Sequence, residues 1–199
     1  VLTAVLETTK DDRVREQACR AIRNIASPAE GKAACVRAGS EKVVTAVLET
    51  TEDERVREQA CTAILTIAHS AEGRAACVKA GSEKVVTAVL QTTMDERVRE
   101  KACWAISNIA ASAEGKAACI KAGSEKVVTA VLETTKDERV REYASMAISN
   151  IAASAEGRAA CVRAGAPAAV VSVLKATKDD RVMLQCSWAL KNIAWSDGE

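Results

Sequence analysis

Apolar residues recur along the chain with the spacing of amphipathic helices. In one segment, Val85, Val86, Val89 and Leu90 follow the i, i+3, i+4 pattern that places side chains on one side of a helix. We find no segment with the strict alternation of a half-buried strand. The pattern predicts an all-α protein.

The helical pattern is itself repeated every 42 residues. The string VRE begins at Val14, Val56, Val98 and Val140, and Val182 opens a more divergent copy. Repetition at this period is typical of a solenoid, in which each unit buries its apolar faces against its neighbours. We therefore predict one solenoid over residues 1–199. It contains a partial repeat, 1–27, followed by full repeats over 28–69, 70–111, 112–153 and 154–199.

Each full unit is predicted to contain three helices. A short helix over Ala71–Ala80 ends at Gly81, a residue suited to a left-handed terminus. A second helix begins with Ser82 as its N-cap, and a third spans Asp95–Ala111, with acidic residues in its first turn. Residues 27–30 (SPAE) read as a capping box that starts another short helix.

The third helices carry the motif of a known family. WAISNIA at Trp104–Ala110 and WALKNIA at Trp188–Ala194 resemble the third-helix core of armadillo repeats, and the resemblance covers the whole chain in register. It implies a right-handed superhelix of three-helix repeats. HEAT repeats are the nearest alternative but have two helices per unit. The family's proline near the start of the second helix is present only as Pro167.

The composition of the chain argues against several classes of protein. The chain is 48% apolar, which is too apolar for a disordered segment, and its 28 basic and 27 acidic residues leave a net charge of +1. A charge near zero does not favour nucleic-acid binding. No run approaches 18 apolar residues, and the first ten residues lack the features of a signal peptide. We expect neither a nucleic acid nor a membrane as partner.

The cysteines follow the repeat and lie within apolar helix faces. One column contains Cys35, Cys77, Cys119 and Cys161, and another contains Cys19, Cys61 and Cys103. This pattern favours small core residues over disulfides or metal ligands, and we expect a reducing, cytoplasmic compartment. With His69 as the single histidine and no catalytic constellation, we expect no enzyme activity, no cofactor and no metal site.

Substitutions among the copies concentrate in the third helix. The short and second helices change little across the first four copies, and even their exposed lysines are retained. We call the surface formed by the variable third-helix columns the varied face. Its columns contain Gln17, Gln59, Lys101 and Tyr143; Arg20, Thr62, Trp104 and Met146; Arg23, Leu65, Ser107 and Ser149; Asn24, Thr66, Asn108 and Asn150; and Ser27, His69, Ala111 and Ala153.

These columns fall on one side of the helix. With Asn108 at zero and about 100° per residue, Lys101 lies at about +20° and Trp104 at about −40°. The unchanging Ile106 and Ile109 fall on the other side. Either the varied face is only solvent-exposed, or it contacts a ligand. The constancy of exposed columns elsewhere favours a ligand.

The resemblance also implies residue roles. In importin-like armadillo proteins, an Asn bonds the backbone of a bound peptide, and a Trp four residues earlier lines a side-chain pocket. Trp104/Asn108 and Trp188/Asn192 match both positions. Arg20/Asn24 and Met146/Asn150 keep the Asn only, and Thr62/Thr66 keep neither. The predicted partner-binding residues are Gln17, Arg20, Asn24, Gln59, Thr62, Thr66, Lys101, Trp104, Asn108, Tyr143, Met146, Asn150, Trp188 and Asn192.

These residues predict a non-catalytic scaffold that binds a protein or peptide through a concave groove lined by the third helices. Trp104, Tyr143, Met146 and Trp188 are residue types common in interface hot spots, and we expect none of them in the core. Two alternatives stay open: end-to-end self-association through uncapped terminal repeats, and an importin-like adaptor for extended basic peptides. The scaffold would be an engineered or an internally diversified natural one.

Overall fold

A computed structural model describes residues 1–195 as a stack of α-helices arranged in three rows. The first helices of the repeats are α3 (Ala29–Arg37), α6 (Ala71–Ala80), α9 (Ala113–Ala122) and α12 (Ala155–Arg163). The second helices are α1 (Leu2–Thr8), α4 (Ser40–Thr50), α7 (Ser82–Thr92), α10 (Ser124–Thr134) and α13 (Ala166–Ala176). The third helices are α2 (Asp12–Ile25), α5 (Glu54–Ile67), α8 (Glu96–Ile109), α11 (Glu138–Ile151) and α14 (Asp180–Ala194).

The turn between the first and second helices requires a glycine. Gly81 adopts φ +71°, the left-handed conformation that residues with a side chain rarely take. This residue ends α6 and is also the N-cap of α7, so the prediction of Ser82 as N-cap is wrong. Ser82 is the first helical residue, and its buried hydroxyl shares a 2.7 Å hydrogen bond with the Thr45 hydroxyl of the preceding repeat.

The capping box predicted at residues 27–30 is absent. Pro28 is the N-cap of α3, and it offers no side-chain hydrogen bond to the helix. The Ser27 hydroxyl donates instead to the backbone carbonyl of Arg23. In the next repeat, Ser70 occupies the place of Pro28 and accepts a hydrogen bond from the Gly73 backbone N–H. The proline therefore removes a cap that the other short helices have.

The core lies between the rows and is continuous along the stack. In α8, the predicted core residues Val98, Ala102, Cys103, Ile106 and Ile109 are all fully buried, which confirms the helix register. All eight cysteines are buried free thiols. Burial raises the pKa of Cys77 to about 12, although a hydrogen bond with the Ser82 side chain partly opposes the rise. This thiol therefore stays protonated and behaves as a small apolar residue.

Polar contacts join neighbouring repeats at fixed positions. Thr93, Thr135 and Thr177 each donate a side-chain hydrogen bond to a glutamate of the preceding third helix, over 2.7–2.9 Å. A matching contact pairs the buried hydroxyls of Thr87 and Ser124 at 2.6 Å. Because each contact spans about one repeat, these bonds fix how one repeat stacks on the next.

A row of buried glutamates begins the second helices. Glu41 and Glu83 are 8% exposed, and each, like the half-buried Glu125, has a buried Oε2 atom without a hydrogen-bond partner. Burial raises the pKa of all three carboxyls. The nearby Lys121 partly opposes the rise at Glu83, and Arg163 does so at Glu125. The last repeat has Pro167 at the same position, where the second helix starts equally well.

These glutamates predict a pH-dependent stability. A carboxyl whose pKa is raised by folding favours the folded state when protonated, and this stability is lost as the pH rises through the folded pKa. A variant with Glu41, Glu83 and Glu125 changed to Gln should therefore be more stable than the parent at pH 7. The difference should shrink as the pH falls towards about 4.5. Urea unfolding between pH 4 and pH 8 measures it.

The control for this series is the Gln substitution of three exposed glutamates of the second and first helices, Glu49, Glu114 and Glu133. This control changes net charge equally but removes no buried carboxyl, so its stability should follow the parent at each pH. An equal gain in both variants would instead assign the effect to net charge.

No single helix within residues 1–195 is long and apolar enough to cross a membrane. The pair α12 and α13, bent by 75°, passes the same test on length and composition. The structure also brings together no group of three or more His, Cys, Asp or Glu side chains in this part of the chain that could hold a metal ion.

Candidate functional site

The third helices form the most extensively packed row of the stack, each contacting the next along its length. The varied face is the side of this row that carries the predicted partner-binding residues. Among these residues Gln17, Arg20, Asn24 and Trp188 are exposed. The half-buried ones are Gln59, Thr62, Thr66, Lys101, Trp104, Asn108, Met146, Asn150 and Asn192, and Tyr143 is buried.

Tyr143 corrects the expectation that no aromatic residue of this face enters the core. Its side chain is 6% exposed and packs against the preceding repeat, where its ring stacks on Trp104 at 4.5 Å between centroids and 9° between planes. Cations lie on both sides of the pair: Arg139 is 5.3 Å from the Tyr143 ring and Lys101 is 6.0 Å from the Trp104 ring. Tyr143 therefore joins two repeats and presents little surface to a partner.

A carboxylate holds the two cations of this cluster. Glu100 accepts a hydrogen bond from Lys101 at 2.9 Å and another from Arg139 at 3.3 Å. Arg139 also donates to the Tyr143 hydroxyl at 3.2 Å. The cluster is thus largely satisfied within the protein, and Trp104 is held in one orientation by its stacked neighbour.

The remaining bulky residues are more accessible. Trp188 is 46% exposed, and the Lys191 ammonium group lies 4.7 Å from its ring centroid. Met146 is half-buried and occupies the same column one repeat earlier. Trp104, Met146 and Trp188 thus supply one large apolar side chain from each of three consecutive third helices. Such amphipathic and polarisable side chains are enriched at binding sites.

The asparagines connect neighbouring repeats. The Nδ2 atom of Asn108 donates to the backbone carbonyl of Leu65 at 2.9 Å, and Asn150 and Asn192 donate in the same way to Ser107 and Ser149. Because the acceptor is a carbonyl, the donor must be the amide nitrogen. Within residues 1–195, the Oδ1 atoms of these three residues accept no hydrogen bond, so each keeps an acceptor for a partner.

The row of asparagines is interrupted at α5. Thr66 donates its hydroxyl to the Thr62 carbonyl of its own helix at 2.7 Å, and Thr62 donates to the Glu58 carbonyl at 2.6 Å. Asn24 lies on α2, the third helix of the partial repeat, and is exposed. Its Oδ1 atom accepts a hydrogen bond from the Arg23 side chain at 3.3 Å. The carboxamide contact across repeats is thus made at Asn108, Asn150 and Asn192.

One varied column, that of Arg23, is buried in its three later copies. Leu65 and Ser149 are 6% exposed and Ser107 is fully buried, although the sequence comparison groups them with the exposed columns. The helical angle of this column, about −100° from Asn108, places it at the edge of the face. At that edge the next third helix covers the column. The hydroxyls of Ser107 and Ser149 accept hydrogen bonds from the Nδ2 atoms of Asn150 and Asn192 at 3.0 and 3.1 Å.

Comparing the repeat copies with one another also did not reveal a row of ion pairs on this face. Arg97, Arg139 and Arg181 approach the glutamate of the preceding third helix at 3.9, 3.3 and 3.8 Å. The glutamates belong to the VRE strings, and each arginine directly precedes such a string or its divergent copy at Val182. Both positions are the same in each of these copies, so copy-to-copy variation could not single them out. Their angle could have done so, since Arg97 lies about 20° from Asn108 around the helix.

Comparison with known proteins identifies the family that has this architecture. A family model described as the armadillo/beta-catenin-like repeat matches residues 70–111, the bounds of one predicted repeat. A crystal structure of an engineered protein is 33% identical with a TM-score of 0.88, and the match covers 97% of this chain and 79% of the engineered one. The chain belongs to the armadillo repeat family.

Other solved structures have a similar fold. A second engineered protein is 29% identical with a TM-score of 0.90, covering 97% of this chain and 79% of its own. A designed armadillo repeat protein in complex with the peptide (KR)4 is 28% identical with a TM-score of 0.86, covering 96% of this chain and 80% of its own. A comparison with curated protein sequences finds no match. The all-α superhelix expected from the repeats is thus confirmed.

Proposed function

We propose that this armadillo repeat protein is a non-catalytic scaffold that binds an extended peptide, or an extended segment of a protein, in a groove lined by its third helices. Solved armadillo structures similar to it include one designed for modular peptide recognition and one in complex with a peptide. This likeness supports peptide binding in general. The residues of the varied face support the more specific proposal that the peptide lies in a groove lined by the third helices.

The unsatisfied Oδ1 atoms carry this proposal. Asn108, Asn150 and Asn192 are fixed by their Nδ2 bonds, so that each Oδ1 is held in one place at successive repeats. An extended backbone presents N–H groups at regular intervals, and a pre-positioned acceptor loses little entropy on binding. A regular row of carboxamide oxygens thus suits a peptide backbone better than it suits a small molecule.

The close packing of the third helices favours a groove on this side. In a curved stack, the row with the tightest helix–helix contacts lies on the inside of the curve, and here the third helices have the most extensive contacts. The exposed Trp188 and half-buried Met146 and Trp104 would then face a bound segment and line pockets for its side chains.

Selection from a random peptide library displayed on phage tests the proposal. The target is the parent chain, and the counter-target is a variant with Ala at Gln17, Arg20, Gln59, Thr62, Lys101, Met146 and Trp188. Peptides that bind the parent at least tenfold more tightly, and that crosslink to third-helix residues, are expected. Peptides that bind both proteins equally, or no enrichment after selection, would contradict the proposal.

Self-association is the second candidate and rests on an exposed apolar residue of α2. Val14 is 41% exposed, whereas the equivalent Val56 and Val98 are fully buried against a neighbouring repeat. An exposed apolar surface is one to which another copy could bind. Light scattering at 10 to 200 µM would reveal concentration-dependent size, and Val14→Lys should abolish it if this surface mediates the association.

A further inference from the structure

The charges of the varied face differ between its two halves, which bears on the chemistry of the partner. From α5 onwards, the glutamates of the VRE strings are engaged within the protein. The side chains of Glu58, Glu100 and Glu142 are 21%, 14% and 13% exposed, and each lies within 4 Å of an arginine on the next third helix. Glu100 also accepts from Lys101. Little negative charge is left there for a cationic ligand.

The aspartates at the ends of the third helices are engaged as well. Asp95 and Asp179 are N-caps whose Oδ1 atoms accept helix backbone N–H groups at 2.8–2.9 Å. Each also forms an ion pair with the arginine two residues later, at 3.3 Å for Asp95 and 2.8 Å for Asp179. Helix N-terminal N–H groups and arginines together hold the charged carboxylate, and the pKa values of both carboxyls are lowered.

The N-terminal half presents free cations. Arg13, Arg20 and Arg55 are exposed and Arg23 is half-buried, and none of the four forms an ion pair with a carboxylate in residues 1–195. We call these four residues the basic patch. Arg20 and Arg23 are three residues apart on α2, so their side chains are neighbours on the helix surface. Guanidinium groups bind carboxylates with paired hydrogen bonds, which makes the basic patch a site for acidic side chains.

The other end of the face is apolar. Met146 and Trp188 on α11 and α14 are the accessible bulky residues, and Lys191 lies against the Trp188 ring. Third-helix axes packed at about 8–10 Å put the α2–α5 region roughly 27 Å from the α11–α14 region. An extended peptide spans that distance in about eight residues.

We propose that the partner segment is acidic where it crosses the basic patch and carries a large apolar side chain about eight residues away, at Met146 and Trp188. This inference rests on the proposed function and adds the chemistry of the ligand. It differs from the basic peptide (KR)4 that the similar designed protein binds. Free charge, rather than total charge, decides the difference. Glu58, Glu100 and Glu142 already have partners, and the half-buried Glu16, which forms no ion pair within residues 1–195, is outnumbered by the four arginines of the basic patch.

Fluorescence polarisation with designed peptides tests the proposal. One labelled peptide carries four Glu, a Gly/Ser spacer and two Leu, so that about eight residues separate the two groups. A second has the reverse order, and two more have Lys in place of Glu. We expect one of the Glu peptides to bind at least tenfold more tightly than its Lys counterpart, with a preference that weakens as salt rises from 50 to 500 mM.

Charge reversal identifies the surface responsible. Arg13→Glu, Arg20→Glu and Arg55→Glu together should reverse the preference, so that the Lys peptide binds more tightly. The matched control is Lys42→Glu, Lys84→Glu and Lys126→Glu, which changes net charge equally at exposed second-helix positions and should leave the preference intact. Circular dichroism verifies that both variants are folded, and Gln in place of Glu provides a milder set.

The outcomes separate the two proposals. Tighter binding of a Lys peptide to the varied face would overturn the acidic partner while leaving peptide binding intact. An equal response of the two charge-reversal variants would also overturn it, because the basic patch would then have no special role. Absence of binding by every designed peptide and every selected library peptide would overturn peptide binding itself.

Discussion

Ile106→Asp is expected to unfold the central repeats. Ile106 is fully buried in α8, within the apolar core cluster and between repeats on both sides. The substitution removes a large apolar side chain and buries an unpartnered charge, which together cost about 4 kcal/mol or more. Because total stabilities are about 5–15 kcal/mol, a large part of the folding free energy would be lost. Urea unfolding followed by circular dichroism measures it.

The position of the change within the stack sharpens this expectation. In a solenoid, stability depends on nearest-neighbour interfaces, so a central defect disrupts the repeats on both sides. Ala111→Asp, at an exposed residue five positions later, is the control and should change the free energy of unfolding by no more than about 0.5 kcal/mol. A melting curve of Ile106→Asp that matches the parent's would contradict the packing of α8 described above.

Trp188→Ala should have a large effect on peptide affinity and a small one on stability. The side chain is 46% exposed, and Lys191, whose ammonium group lies 4.7 Å from the ring centroid, is also exposed. Hot-spot tryptophans contribute about 2 kcal/mol or more to binding, so affinity for a selected peptide should fall roughly thirtyfold. The free energy of unfolding should fall by less than about 1 kcal/mol. Titration calorimetry and urea unfolding of the same variant give both numbers.

Trp104→Ala is the informative comparison. This ring stacks on Tyr143, and the loss of such a pair costs about 0.5–1.5 kcal/mol beyond the loss of buried area. We therefore expect Trp104→Ala to lower both affinity and stability, whereas the sequence pattern predicts little loss of stability for either Trp. Trp188→Phe, which keeps an aromatic ring, should retain most of the affinity. Equal stability losses at Trp104 and Trp188, or unchanged affinity after Trp188→Ala, would contradict the site.

Residues on the edge of the varied face show where sequence reasoning lost accuracy. A helical wheel treats α8 as an isolated cylinder, and on that cylinder Ser107 and Asn108 belong to adjacent parts of one surface. In the structure, Ser107 is covered by α11 and accepts a hydrogen bond from Asn150 of the next repeat. The wheel gives the direction of a side chain from its own axis, but it contains no information on what lies in that direction.

Capping residues show the same limit at short range. Ser82 fits the statistics of an N-cap, and Gly81 before it fits those of a helix C-terminus. Both roles fall to Gly81, because α6 and α7 follow each other with one residue between them. Ser82 then bonds to Thr45 across the repeat boundary, a contact that no local pattern contains.

The 42-residue period and the amphipathic pattern within it determined the helices, their order in three rows and the apolar core that recurs in each repeat, because burial follows the side on which apolar residues recur. Tertiary structure alone decided which residues of the exposed side remain free to contact a partner. Tyr143 stacks on Trp104 of the preceding repeat, and the asparagine Nδ2 atoms donate hydrogen bonds to backbone carbonyls of the preceding third helix. Glu58, Glu100 and Glu142 were paired with arginines of the next repeat, whereas the basic patch was not paired with carboxylates within residues 1–195. These outcomes depend on distances between side chains of different repeats, which are set by how the helices pack and are not encoded at any single position.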